Sequence, residues 1–167
     1  MAKLQYGLKS LKMGDVASDG GMGTTLEELG GTLEGSATLT TEDGETTSIN
    51  TEESDFSAIQ FNTPGETKVA FDLLDMTPDN IKKVLGGTVT GTGDAAVYSA
   101  PVGSVDIEQS LEIVTKNNIK WQFPRVKVFG KLNANISKKD VYKVSVTCVV
   151  LKPEKDGVAP YSYTKVV

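Results

Sequence analysis

Residues 121–151 read WQFPRVKVFGKLNANISKKDVYKVSVTCVVL, and this stretch decides the fold. Within 126–136 apolar residues or glycine occupy every second position, and the same alternation returns at 142–150 after a polar segment at 137–140. A period of two is typical of a β-strand with one buried face. The stretch therefore predicts a long antiparallel hairpin whose apolar side needs a second layer of structure.

The rest of the chain predicts one helix, two long loops and several strands. Thr77 and Pro78 form a typical helix start and Gly86 a typical helix end, so a helix is predicted over 78–85. The glycine-rich segment 13–31 and the charged segment 52–65 predict the loops. Strands are predicted at 3–12, 32–41, 46–51, 67–74, 95–100, 109–115 and 119–123, with Asp43 and Gly44 turning the second of these back onto the third.

These elements predict a mainly β fold. We expect an antiparallel β-sandwich or half-barrel of about eight strands with one short flanking α-helix at 78–85. A chain of 167 residues fits a single domain with one sizeable core, so the predicted domain is 1–167.

Charge is distributed unevenly along the chain. Residues 1–118 contain 7 basic against 19 acidic residues, a net charge of −12, whereas residues 119–167 contain 10 basic against 3 acidic residues, a net charge of +7. The acidic total argues against a protein that holds nucleic acid by a basic surface. The asymmetry has two interpretations, which are solvated faces of a sheet and complementarity between identical subunits.

Residues for catalysis, cofactors or metals are not indicated. The sequence contains no histidine, which excludes the Ser-His-Asp and Cys-His arrangements and leaves an enzyme that uses carboxylates or lysine as the remaining alternative. The acidic pairs at 27–28 and 52–53 are sequence neighbours that would point to opposite faces of a strand. The glycine pattern at 91–96 follows a helix, the reverse of a dinucleotide-binding turn. We therefore predict no enzyme activity, no catalytic, cofactor or metal site, and no cofactor.

The start of the chain and its hydropathy predict a protein without a membrane anchor. Residues 1–15 lack the apolar core of a secretory signal, and no run of about 18 apolar residues occurs. The single Cys148 lies on the apolar side of the hairpin and excludes a disulfide within the chain. We expect a protein that is made and kept in the cytoplasm until it assembles.

Several segments, in this order, carry a resemblance to a known family. They are the acidic-glycine turn at 42–44, VAFDLLD at 69–75 running into TPDNIKKVLGG at 77–87, LEIVT at 111–115, and FPRVKV at 123–128. The chain is similar in these segments, and in its order of elements, to the tail tube proteins of bacteriophages.

The resemblance implies a structural virion protein. Subunits of that family form rings, usually hexameric, that join long strands into an inner barrel and stack into a tube through which the genome passes. The implied partners are further copies of the chain, other tail proteins and DNA in transit without specific binding. The implied location is the virion tail, assembled in the host cytoplasm. An unpaired edge of the long hairpin would be completed by a neighbouring subunit.

The resemblance also gives candidate contact residues. Lumens in the family tend to be acidic, whereas the polar side of this hairpin carries Arg125, Lys127, Lys131 and Lys143. If this side lines the channel, the chain departs from the family; we expect instead that these cations pair with a neighbour's acidic residues. Candidates for axial contacts are the two predicted loops, with Asp15, Asp19, Glu52, Glu53 and Asp55.

A second class of function remains open from the residues alone. A monomeric β-sandwich module could hold a carbohydrate or another ligand in its loops. The size of purified particles would separate the two classes, because one predicts rings or tubes and the other predicts monomers.

Overall fold

Two halves of the stretch at 121–151 form an extended strand pair. In the computed structural model, which describes residues 4–166, strand β10 (Ile119–Asn133) pairs antiparallel with β11 (Lys143–Val150). Residues that face each other across the pair lie on one side of the sheet. The buried residues of that side are Val126, Val128, Val144, Val146 and Cys148. The predicted hairpin is confirmed within these bounds, but its buried side is shorter than predicted, because Leu132, Ile136 and Tyr142 are exposed.

Twelve strands and one α-helix occupy the described residues. Before β10 the strands are β1 (Leu8–Gly14), β2 (Glu27–Glu28), β3 (Thr38–Thr41), β4 (Glu45–Asn50), β5 (Ser57–Thr63), β6 (Thr67–Leu73), β7 (Thr88–Thr90), β8 (Val97–Ser99) and β9 (Glu108–Thr115). The helix α1 (Pro78–Leu85) lies between β6 and β7, and β12 (Ser162–Lys165) follows β11. A single helix among many antiparallel strands confirms the mainly β prediction.

The main sheet has eight antiparallel strands. Seven follow the order β2-β1-β9-β10-β11-β6-β3, and β12 pairs with the first part of β10. The strands β4 and β5 form a separate two-stranded sheet, as do β7 and β8. The predicted number of about eight strands therefore corresponds to the main sheet, and the two small sheets account for the rest.

The main sheet rolls around one core, and residues 29–33 join its two ends. The amide of Leu29 donates to the carbonyl of Leu11 in β1 over 3.2 Å, and the amide of Leu33 donates to the carbonyl of Asp72 in β6 over 2.9 Å. Side chains from β1, β6, β9, β10 and β11 meet inside in one cluster of buried apolar residues. The two layers expected of a sandwich are thus two halves of one curved sheet.

Helix α1 covers one part of this core. Its bounds, Pro78–Leu85, coincide with the predicted helix, and Val84 is fully buried. A Cβ atom placed on Gly130 would lie 2.5 Å from the carbonyl oxygen of Val84, so the helix packs directly on the backbone of β10. The side chain of Asn80 is buried and donates to the carbonyl of Leu29 over 3.1 Å. Thr77 makes no side-chain cap, contrary to the predicted capping.

The predicted hairpin of 32–41 with 46–51 is wrong. Strand β3 pairs with β6 instead, and β4 pairs with β5. Residues 42–44 do not form the predicted turn: the amide of Glu42 donates to the carbonyl of Glu66 over 2.8 Å, and the pairing of Thr41 with Thr67 continues in the same register to Glu45 opposite Thr63. A short-range turn signal does not specify which distant strand a segment pairs with.

Both predicted long loops need correction. In the segment 13–31, β1 extends to Gly14, β2 occupies Glu27–Glu28, and Leu29 is fully buried. The amide of Gly23 donates to Ser110 Oγ over 2.8 Å, which fixes the segment to β9. In the segment 52–65, Ser57–Thr63 forms β5. Pairing with other strands orders parts of both segments. The glycine content of one segment and the charge of the other did not indicate this pairing.

Candidate functional site

The strands β4 and β5 form a two-stranded ribbon, called the ribbon below, that projects from the main sheet. All residues of both strands are exposed, and within residues 4–166 the two strands make extensive contacts only with each other. A two-stranded hairpin without a covering layer is marginally stable in water. Within the described residues, the ribbon therefore has no layer that covers it.

One face of the ribbon is apolar. Ile49 lies opposite Ile59, and Thr47 lies opposite Phe61, so these four side chains share a face. Ile49 is 49%, Ile59 52% and Phe61 56% exposed, and Phe56 beside the turn is 82% exposed. Contiguous exposed apolar side chains of this size mark interaction surfaces.

The opposite face of the ribbon is polar. It carries Thr46 opposite Asn62 and Ser48 opposite Gln60, and Gln60 Nε2 donates to Ser48 Oγ over 3.2 Å. The ribbon is therefore amphipathic, with one face suited to water and the other to an apolar partner.

The turn of the ribbon is acidic. It holds Glu52, Glu53 and Asp55, three of the five residues predicted for axial contacts, and all three are exposed. No Lys or Arg nitrogen of the described chain lies within 4.0 Å of their carboxylates. Their charges are available to a second molecule.

The other two predicted axial residues have contacts elsewhere. Asp15 Oδ1 accepts from Gln109 Nε2 over 3.1 Å, and Asp19 forms an ion pair of 2.5 Å with Lys155. The hydrogen bond from Lys155, with a second from the amide of Gly21, lowers the pKa of Asp19. These contacts fix the segment after β1 to β9 and to the chain after β11. The structure therefore does not bring Asp15 and Asp19 to the ribbon.

Three of the four cations predicted to pair with a neighbour have partners within the chain. Lys127 lies 2.7 Å from Asp106, and Lys143 lies 2.8 Å from Asp72. Arg125 donates to both carboxylate oxygens of Glu108, over 2.7 and 2.9 Å, and this contact raises the pKa of the guanidinium. These intramolecular pairs are an alternative to the expected pairs with a neighbour.

Lys131 differs from the other three. It is exposed, and among residues 4–166 no carboxylate lies within 4.0 Å of its ammonium group. Its pairing with a neighbouring subunit stays a prediction.

An open cleft of about 750 Å³ lies where the main sheet does not close. Its walls are residues 5–11, at the start of β1, and residues 30–39, which lead into β3. The two walls are joined near Leu29 and separate beyond it. The remaining lining includes Val69, Ile113 and Trp121, so the cleft opens onto the apolar inner side of the sheet.

Aromatic side chains extend this apolar inner side. Trp121 stacks on Phe123 with ring centroids 6.4 Å apart and contacts Tyr163 at 5.1 Å. Tyr161 lies 6.3 Å from Trp121 and is partly exposed.

The ribbon and the cleft were both missed from sequence. The alternation of Ile59 and Phe61 with Gln60 and Asn62 was a signal for the ribbon, but it was shorter than the hairpin pattern. The cleft had no comparable signal in the sequence. Its two walls come from segments about 25 residues apart in the chain, and the gap between them arises only when the sheet folds.

Searches for other kinds of site gave negative results within residues 4–166. No group of three or more Cys, Asp or Glu side chains in this part of the chain is arranged to hold a metal ion. None of its helices combines the length and the apolar character needed to cross a membrane.

Comparison with known proteins adds no identification. No protein-family model matches the chain, and a search of curated proteins gives no match.

Proposed function

We propose that the chain is a structural protein of a bacteriophage tail, whose copies assemble into stacked, hexameric rings that form the tube for the passage of the genome. The observation that carries the proposal is the projecting ribbon, with its unpartnered apolar face. The resemblance of segments 42–44, 69–87, 111–115 and 123–128 to tail tube proteins supplies the kind of assembly. Further copies of the chain and other tail proteins are the partners.

The ribbon favours assembly because its apolar side chains are more stable when buried. Removing one Ile or Phe side chain from water contributes about 1.5–3 kcal/mol. Three such side chains, Ile49, Ile59 and Phe61, share this face. A partner that covers this face gains affinity and also orders the ribbon.

A contact between two different surfaces would favour rings and stacks. In the proposed assembly the ribbon of one copy meets a different surface on the next, and such head-to-tail contacts generate closed rings or open filaments. A tube needs both kinds of contact, around its axis and along it.

The charges are compatible with the passage of DNA without binding. The formal net charge of the chain is −5, and Arg125, Lys127 and Lys143 are paired with carboxylates of the same chain. Paired cations offer little to a phosphate backbone, whose binding depends on unpaired Lys and Arg.

Particle size and shape test the proposal. We expect size-exclusion chromatography with light scattering, and negative-stain images, of the purified chain to give rings or tubes. Ile59→Asp places a charge on the apolar face and is expected to reduce association by at least about 100-fold, which corresponds to roughly 3 kcal/mol.

Gln60→Asp is the matched control, because the neighbouring side chain lies on the polar face of the same strand. We expect it to assemble as the unmodified chain does, and both variants to keep the melting temperature of the isolated domain. A chain that stays monomeric at high concentration contradicts the proposal.

The open cleft favours a second candidate function, a monomeric ligand-binding module. Its volume of about 750 Å³ and its lining by Trp121 and Tyr6 suit a small ligand such as a carbohydrate. This function predicts a monomer whose Trp121 fluorescence changes when the ligand binds.

A further inference from the structure

We infer that the ribbon of one copy lies in the open cleft of a second copy. This inference rests on the proposed function and names the surface that receives the ribbon. It is drawn from four properties of the described residues, which are the break in the sheet, the free strand edges, the apolar surfaces and the charges.

The cleft is a break in an otherwise continuous wall. The segment 29–33 bonds to β1 through Leu29 and to β6 through Leu33, but beyond this point residues 5–11 and 30–39 separate. The inner side of the sheet is exposed through this break. An added strand or ribbon would close the wall.

Both margins of the break have free backbone groups. Strand β3 pairs with β6 along one edge, and no strand of the described chain pairs with its other edge. In β1, residues 8–10 pair with β9 on one side only. Free edges of this kind accept an extended segment by strand addition.

The apolar surfaces match in kind. Leu39 lines the cleft, is 40% exposed, and lies opposite buried Val69, so its side chain faces inward. Together with Ile113 and Trp121 it forms an apolar floor. The apolar face of the ribbon, with Ile59 at its centre, can cover this floor while the polar face stays in water.

The charges are complementary. Lys9 and Lys116 line the cleft, and Glu34 is the one acidic residue among its lining residues. Lys9 Nζ donates to the neutral Asn118 Oδ1 over 3.1 Å, and no carboxylate of the described chain pairs with Lys116. The ribbon turn brings three unpaired carboxylates, so the turn would lie toward these two lysines.

The occupant is a second copy because the ribbon does not reach the cleft of its own chain. Within residues 4–166, β4 and β5 make extensive contacts only with each other. Each copy therefore carries both parts of the contact. Its ribbon would insert into another copy, and its cleft would receive the ribbon of another copy.

Cysteine cross-linking tests the inference. One preparation carries Ile59→Cys and a second, differently tagged preparation carries Leu39→Cys, and the two are mixed, assembled and treated with a short bismaleimide. The native Cys148 is fully buried, and burial raises the pKa of its thiol to about 12, so it does not compete. We expect a product that contains both tags.

Gln60→Cys with Leu39→Cys is the matched control. Neighbouring side chains of a strand point to opposite faces, so this pair is expected to give at least about tenfold less product. If the unmodified chain forms rings or tubes and the Ile59→Cys pair gives no more product than the control, the inference is wrong and the proposed function stands. If the unmodified chain does not assemble, the proposed function is wrong.

A charge exchange gives a second, independent test. Lys9→Glu with Lys116→Glu is expected to reduce assembly at low salt, because these residues would then repel the acidic turn. Adding Glu52→Lys and Glu53→Lys is expected to restore assembly. If the two lysine substitutions reduce assembly and the two glutamate substitutions do not restore it, the inference is wrong.

Discussion

Along β11 buried side chains alternate with partly exposed ones. Val144, Val146 and Cys148 are buried, whereas Ser145 and Thr147 between them are partly exposed. Each residue on one side lies in the common core, and each residue on the other side lies on the outer surface of the sheet. The cost of a substitution in this strand therefore changes at every position.

Val146→Asp is expected to unfold the domain. Val146 is 1% exposed, and a carboxylate placed there has no partner, which costs several kcal/mol. Thr147→Asp is the matched control on the outer side, with an expected loss of about 1 kcal/mol or less. Thermal melts check the difference, and equal losses would contradict the register of β11.

Asp72 is a charged residue on the outer side of the sheet with two side-chain hydrogen-bond partners. Its carboxylate accepts from Lys143 Nζ over 2.8 Å and from Ser145 Oγ over 2.8 Å. Its pKa is lowered from 3.8, first by the hydrogen bond from Lys143 and, to a smaller extent, by that from Ser145, against the effect of burial. These contacts stabilise the charged form in the folded protein.

Asp72→Asn is expected to lose about 1–2 kcal/mol of unfolding free energy at neutral pH. A lowered folded-state pKa gives stability that is present above the unfolded value and is lost as the pH falls through the folded value. The difference between the two proteins should therefore be constant above about pH 5, begin to fall near the ordinary pKa of 3.8, and disappear only as the pH drops through the lower pKa of the folded protein.

Urea unfolding at several pH values measures this difference. Asp106→Asn is the control, because the Asp106 side chain is 78% exposed and its pair with Lys127 contributes only about 0–1 kcal/mol. A difference for Asp72→Asn that persists unchanged in acid would contradict the assignment.

At the scale of elements, the position of α1 depends on a glycine near the C-terminal end of β10. Gly130→Ala is expected to destabilise the domain by about 1–3 kcal/mol, because the new Cβ would lie 2.5 Å from the carbonyl oxygen of Val84. Gly103→Ala is the control, since nothing lies within 4 Å of a Cβ there. Equal melting temperatures for the two variants would contradict the packing of the helix on β10.

Sequence patterns predicted those elements that lie in one short, continuous stretch of the chain. The β10–β11 hairpin and α1 each lie in one continuous segment, so alternation and helix-end residues were sufficient. Pairing between distant segments was not predictable. Strand β3 pairs with β6 across roughly 30 residues, and Lys143 pairs with Asp72 across 71 residues. The same limit applies to the candidate site, of which only the acidic residues at 52–55 were predicted.

For the whole molecule, ion pairs within the chain neutralise part of the charge asymmetry between residues 1–118 and residues 119–167. Basic residues of the second part of the chain pair with acidic residues of the first part, as Arg125 does with Glu108 and Lys155 with Asp19. Complementarity between the two parts therefore acts within one chain. The charges left over at the ribbon turn and the cleft are few.

Assembly is expected to tolerate salt. Raising NaCl from about 0.1 M to about 1 M shortens the screening length from roughly 10 to 3 Å, which weakens exposed ion pairs but not apolar contacts. The assembled fraction, measured by sedimentation, should stay the same or increase. Complete dissociation at the higher concentration would mean that charges rather than the apolar ribbon hold the copies together.

In the proposed assembly, one projecting ribbon and one open cleft on each copy would give any open row of copies a polarity. One terminus displays a bare ribbon and the other an unfilled cleft, so addition at the two termini proceeds by different steps and at different rates. A terminating protein needs to imitate only one of these two surfaces. Length control can therefore act at a single end, without any change to the subunits in between.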